Sequence, residues 1–187
     1  MSDAIVIIPT YDEIENIESI DFLSKNVSNS VNILIKTDAG YHRTGIAYDS
    51  IERIENIINR VEVAKNLQFL GFLTHSGHTY NARSNTEIAV IHNDCLSKMK
   101  TLKDRYKERF PNLMISVGDT PTCSVMDDFG VATEIRPGNF MFYDLMQYQI
   151  TACDLDEIAV AMACPVIAKH PERNEIIIHG GGVHFSK

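Results

Sequence analysis

Apolar positions along this 187-residue chain change their spacing several times. Residues 31–37 (VNILIKT) form a nearly unbroken apolar run, the pattern of a strand buried on both faces. Residues 49–65 switch to helical spacing, with Ile51, Ile54, Ile57, Ile58 and Val61 on one face. A second strand is expected over 68–74 (QFLGFLT). A long helix follows over 85–109, where Ile88, Ile91, Cys95, Met99, Leu102 and Tyr106 recur at helical intervals. Residues 113–117 (LMISV) and 131–136 (VATEIR) read as a third and a fourth strand. Alternating strands and helices with unbroken apolar strands predict the α/β class, a parallel sheet or (β/α) barrel.

Past residue 155 the alternation stops. IAVAMACPVIAKHPERNEIIIH reads as two β runs around a Pro-containing turn, which predicts an antiparallel β domain. The expected division falls near residue 150, giving a barrel portion over 1–150 and the start of a β domain over 151–187. A complete barrel takes eight strands and about 250 residues. The expectation is therefore a portion of a longer architecture.

Composition narrows the function. With 17 basic against 25 acidic residues the formal charge is −8, which offers no electrostatic footprint for nucleic acid or an anionic membrane. Small phosphate-bearing molecules remain compatible, because a few local donors suffice for them. The four cysteines form no CxxC pair, so structural zinc and a disulfide framework find no support. The N-terminus turns acidic after a few apolar residues, and no apolar stretch approaches a membrane span. A cytoplasmic protein is expected.

Polar residues gather where the strands end. Lys36, Asp38, His42 and Arg43 follow the first strand, and Thr74, His75, Gly77, His78 and Tyr80 the second. Ser116, Gly118, Asp119, Thr120 and Thr122 follow the third, with Glu134, Arg136, Gly138 and Asn139 around the fourth. In parallel α/β architectures this is the ligand-binding face. Each packet also has a plainer reading. Asp38 with Gly40 caps a turn, Arg43 makes a surface ion pair, His75 and His78 are satisfied loop residues, and RPG is a turn. Their joint occurrence on one face is what favours a site.

KTDAGYHRTG, GFLTHSGHTY, SVGDTPT and TEIRPGNFMFYD, in that order, resemble the pyridoxal-phosphate (PLP) enzymes of the alanine racemase-like barrel, fold-type III. Within that fold the likeness is to the D-threonine aldolase and D-serine dehydratase branch, over about residues 28–187. The resemblance implies that Gly118, Thr120 and Thr122 hold the cofactor phosphate, helped by backbone groups of Gly138 and Asn139. It places Arg136 by the pyridine nitrogen, where a permanent cation keeps that nitrogen unprotonated. It puts His75 beside the ring, Arg43 near the phenolic oxygen, and His78 and Tyr80 on the substrate side.

Three departures stand inside this likeness. Lys36 occupies a position that is usually acidic in the aldolase and dehydratase branch; it either pairs with a carboxylate or is carbamylated to orient Arg43. The family's Schiff-base lysine lies well before KTDAGYHRTG, and neither Lys25 nor Lys36 fits its motif. The branch's divalent metal (zinc or manganese) has no matching ligands here, since His179 and His184 would fall on opposite faces of a strand. The implied function is a PLP-dependent lyase, aldolase or racemase acting on a D-amino acid, as a homodimer. The alternatives are a non-catalytic PLP-binding protein and an inactive partial chain.

Overall fold

The computed structural model describes residues 4–8 and 13–181. Its elements are β1 (Ala4–Ile8), α1 (Glu13–Asn26), β2 (Val31–Asp38), β3 (Ile46–Ala47), α2 (Ile51–Val63), β4 (Leu67–Leu73) and α3 (Asn85–Tyr106). They continue with β5 (Met114–Val117), α4 (Thr120–Val125), β6 (Glu134–Ile135), α5 (Leu145–Gln149), β7 (Val166–His170) and β8 (Glu175–Ile178). The main sheet runs β1–β2–β4–β5–β6, every neighbouring pair parallel, and β3 pairs with the end of β2. β7 and β8 form a separate antiparallel hairpin.

The apolar stripes explain the packing. Ile54, Ile57, Ile58 and Val61 of α2 are all fully buried, against Ile33 and Ile35 of β2 and Phe69 and Phe72 of β4. Each such side chain contributes roughly 2 kcal/mol of apolar burial. On α3 the buried face is Ile88, His92, Cys95, Met99, Leu102 and Tyr106, while Ile91 is only half-buried. Spacings of three and four put His92 on that face, and its Nε2 bonds the Asp128 carbonyl at 2.7 Å.

Several elements depart from the sequence expectation. β1 and α1 add a strand and a helix ahead of residue 31. The helix expected over 85–109 stops at Tyr106, where the Phe110 N–H turns back to the Tyr106 carbonyl and Pro111 bars continuation. The fourth strand shrinks from 131–136 to Glu134–Ile135, because an Asp128–Gly130 turn occupies the segment before it. Residues 158–165 are not strand. Pairing starts only after Pro165, which has no N–H to donate, and the hairpin reverses through Pro171–Arg173 with Asn174 left-handed at φ 53°.

Glycine sets the spacing between strands at two points. A Cβ on Gly71 would lie 2.0 Å from the Met114 carbonyl oxygen, and one on Gly118 would lie 2.6 Å from the Arg136 backbone nitrogen. Both strand pairs next to the site close only because those residues have no side chain.

Candidate functional site at the strand ends

At the end of β2 the carboxylate of Asp38 organises the turn. Its Oδ1 accepts from the N–H groups of Gly40 (2.8 Å) and His42 (3.1 Å), and its Oδ2 lies 2.9 Å from His42 Nδ1. Burial opposes ionisation, but these donors outweigh it and hold the Asp38 carboxyl below the ordinary range. The turn-capping reading of Asp38 is what the geometry displays. From α3, Lys98 reaches across to the Ala39 carbonyl at 3.0 Å and secures the same turn.

The turn delivers Tyr41 and Arg43. The Arg43 guanidinium lies over the Tyr41 ring at 5.1 Å, the His75 ring meets that ring edge-on at 5.7 Å, and the His78 ring stacks on it at 6.1 Å. Tyr80 adds its ring 6.3 Å from His75. His75, just past β4, places Nδ1 2.8 Å from the Gly118 carbonyl oxygen. A carbonyl only accepts, so Nδ1 carries the proton and Nε2 is the basic nitrogen of the neutral ring. Burial is the main cause that lowers the proton affinity of His75, aided by Arg43 and Arg136; burial likewise lowers that of His78. The other side of His78 borders a groove of about 310 Å³ lined by Asn81, Ala82, Thr86, Glu87, Val90 and Ile91, on the α3 side.

Arg136 crosses the next gap. Its Nε donates to Ser116 Oγ (2.7 Å), and its Nη2 donates to the Thr74 carbonyl (2.6 Å), so one side chain ties the ends of β4, β5 and β6. Ser116 in turn bonds Glu134. Burial lowers the Arg136 pKa, yet a guanidinium begins so high that it stays charged. Lys36 is lowered too, by burial and then by the neighbouring Arg43 and Arg136.

The phosphate-loop candidates come together in α4. Asp119 caps it, its Oδ1 accepting from Thr122 N and from Thr79 Oγ1, both at 2.8 Å. Thr120 Oγ1 accepts the Asn139 N–H at 2.9 Å, and a Cβ on Gly138 would stand 3.8 Å from that hydroxyl. The hydroxyls of Thr122 and Thr74 are buried with no protein partner. A buried unpaired hydroxyl costs about 1–3 kcal/mol, and the unpaired Thr122 hydroxyl in α4, together with the uncrowded Gly138 facing Thr120, fits a phosphate ester. The carboxylate of Asp119 does not contradict that fit, since its Oδ1 is already engaged by two donors.

The ten candidate site residues follow these strands, and Arg43, His75, Gly118 and Arg136 are linked through Tyr41, while Thr120 contacts Asn139 and Gly138. Tyr41, Thr79 and Asp119 were given no role from sequence, although all three join these contacts. No local pattern marks Tyr41, because its seat is the slot left by Gly77, 36 residues on, where a Cβ would sit 2.3 Å from the tyrosine ring. Cysteine chemistry is not offered here: burial pushes the Cys95 thiol up to about 11 and raises Cys123 and Cys153. Among the described residues no group of three His, Cys, Asp or Glu side chains could hold a metal ion. His179 is exposed there, and His184 lies outside the described residues.

A parallel α/β sheet with a ligand-type face at its strand ends defines the class. Residues 3–145 match the family model for the alanine racemase N-terminal domain, and the chain belongs to that family. It is 32% identical over 195 residues to a D-serine dehydratase of Dictyostelium discoideum, covering 94% of this chain and 47% of that protein. Among solved structures it is similar to the D-threo-3-hydroxyaspartate dehydratase from Delftia sp. HT23. There the TM-score is 0.85 at 20% identity, with 98% of this chain and 48% of that one covered. D-threonine aldolase from Filomicrobium marinum gives a TM-score of 0.76 at 16% identity, over 97% of this chain and 48% of that one. The fold is alanine racemase-like, and the chain spans about half the length of the relatives it matches. No described helix is long and apolar enough to cross a membrane.

Proposed function

We propose that this chain forms the cofactor-phosphate and substrate-facing part of a PLP-dependent lyase acting on a small D-amino acid, of the D-serine dehydratase type. The observation that carries this is the joining of four separate strand ends through Tyr41, His75, Gly118 and Arg136. The 32% identity to a D-serine dehydratase supports elimination over the other reactions.

In this reading Thr120, Thr122, Gly118 and the backbone of Gly138 and Asn139 hold the phosphate. Arg43 faces the phenolic oxygen and Arg136 the ring nitrogen. Bound there, PLP supplies an electron sink for negative charge developing at the substrate Cα. Arg136 holds a fixed positive charge, which opposes protonation of any nitrogen placed beside it. His75 is kept neutral by burial and held by Gly118, so it packs beside the ring without adding charge. His78 and Tyr80 are the groups available to move a proton on the substrate side. A divalent metal, a homodimeric assembly and a division near residue 150 into barrel portion and β domain belong to the same proposal for the whole protein.

The test is PLP binding by the purified chain, followed through its visible absorption, with Thr120→Ala expected to weaken it about tenfold. In the complete enzyme, Arg136→Glu should shift the absorption of the bound cofactor. Binding that is indifferent to Thr120 and a spectrum indifferent to Arg136 would sink the reading. Turnover of D-serine against D-threonine, measured in the complete enzyme, separates elimination from aldol cleavage.

A further inference from the structure

The least expected member of the site is Tyr41, which touches a residue from each of three functional roles. Its ring lies under the Arg43 guanidinium, stands T-shaped to the His75 ring and stacks with that of His78. It can lie there only because residue 77 is glycine: a Cβ would approach its Cε1, Cζ and Cδ1 to 2.3, 2.5 and 2.8 Å. The backbone beneath is equally fixed. Asp38 holds the turn from one side and Lys98 from the other, so Tyr41 projects from a rigid base. His78 Nδ1 is buried with no hydrogen-bond partner, so its stacking on Tyr41 is a main contact fixing that imidazole.

We propose that Tyr41 is the positioning residue of this site: its ring, seated in the slot left by Gly77, fixes the directions of Arg43, His75 and His78. The geometry stands on its own; its consequence for cofactor binding rests on the PLP reading above. An aromatic ring suits the task because one rigid plane offers a negative face to the guanidinium and its quadrupole favours T-shaped and offset-stacked imidazole neighbours. A leucine is smaller than the ring, so it leaves part of the volume to water and has no face to direct the cation.

The groups facing His75 are Arg43, Asp119 and Arg136, and those facing His78 are Asp119, Lys98, Asp94 and Asp38. Removing the ring should hydrate His75 and release Arg43 from it. Both changes raise its proton affinity. In the 187-residue chain without cofactor, NMR titration should therefore move the His75 midpoint upward in Tyr41→Leu and leave it in place in Tyr41→Phe. Gly77→Ala, which evicts the ring, should reproduce the leucine result. In fluorescence titrations with PLP, Tyr41→Leu should bind about tenfold more weakly, the scale of one misdirected charge-assisted contact. A folded Tyr41→Leu that titrates like the parent chain overturns the proposal. Collapse of its fold overturns it as well, by making the ring a packing residue. Failure of the parent chain to bind PLP would defeat the cofactor reading instead, while the cofactor-free titration still decides the role of Tyr41.

Discussion

Ile33-Leu34-Ile35 in β2 and Ile176-Ile177-Ile178 in β8 are almost the same tripeptide in opposite circumstances. The first is 0%, 2% and 0% exposed; the second is 61%, 42% and 37% exposed. β2 has β1 on one side and β4 on the other, with helices packed against the sheet, whereas among the described residues β8 pairs with β7 alone. Three consecutive apolar residues mean burial only where both faces and both edges are covered. The candidate site follows that division in part: Tyr41, His75 and Gly118 come after strands flanked on both sides, where packing can hold a side chain in place, and Arg136 comes after the edge strand β6.

The contrast should be largest in hydrogen exchange. Amides of β2 and β4 should exchange only through global unfolding, and those of β7 and β8 about a thousandfold faster or more, since a two-stranded hairpin is marginal alone. Equal protection in the two regions would dissolve the comparison. Core truncation comes next. Ile35→Ala should cost about 4 kcal/mol in urea unfolding, and Ile177→Ala less than about 0.5 kcal/mol.

Helix caps test the same division at smaller scale. Asp119 is buried and serves both α4 and Thr79, whereas Asp144 caps α5 from an exposed position. Asp119→Ala should cost about 3 kcal/mol and loosen the loop over residues 118–122, and Asp144→Ala about 1 kcal/mol. Similar costs would mean that burial adds nothing to a cap here.

The smallest effect is with pH. The folded chain lowers the proton affinity of His75, so its contribution is fully present above about pH 6.5 and is lost as pH falls through the lower folded value. The urea midpoint should therefore decline from pH 7 toward pH 5, and His75→Gln should flatten that slope. An unaltered slope would assign it to other groups.

The amino-acid sequence by itself determined the alternation of strand and helix from residue 31, the faces of α2 and α3, and the gathering of polar residues at strand ends. These follow from local periodicity, which every residue carries independently of its distant neighbours. It also carried the family likeness, through motifs such as SVGDTPT and TEIRPG that keep their order along the chain. β1 was not legible, because five residues without a flanking periodic pattern carry little signal, and β6 was overdrawn because a turn competes for the same segment. Only tertiary structure decided that Tyr41 lies in the slot of Gly77, that Asp119 joins Thr79 to α4, and that Arg136 ties three strand ends. Each of those contacts links residues 20 to 62 positions apart, or 36 for Tyr41 and Gly77, and no local pattern encodes a distance across the sheet. The same reason separates the two isoleucine runs: what covers a strand is set by the rest of the fold, not by the strand.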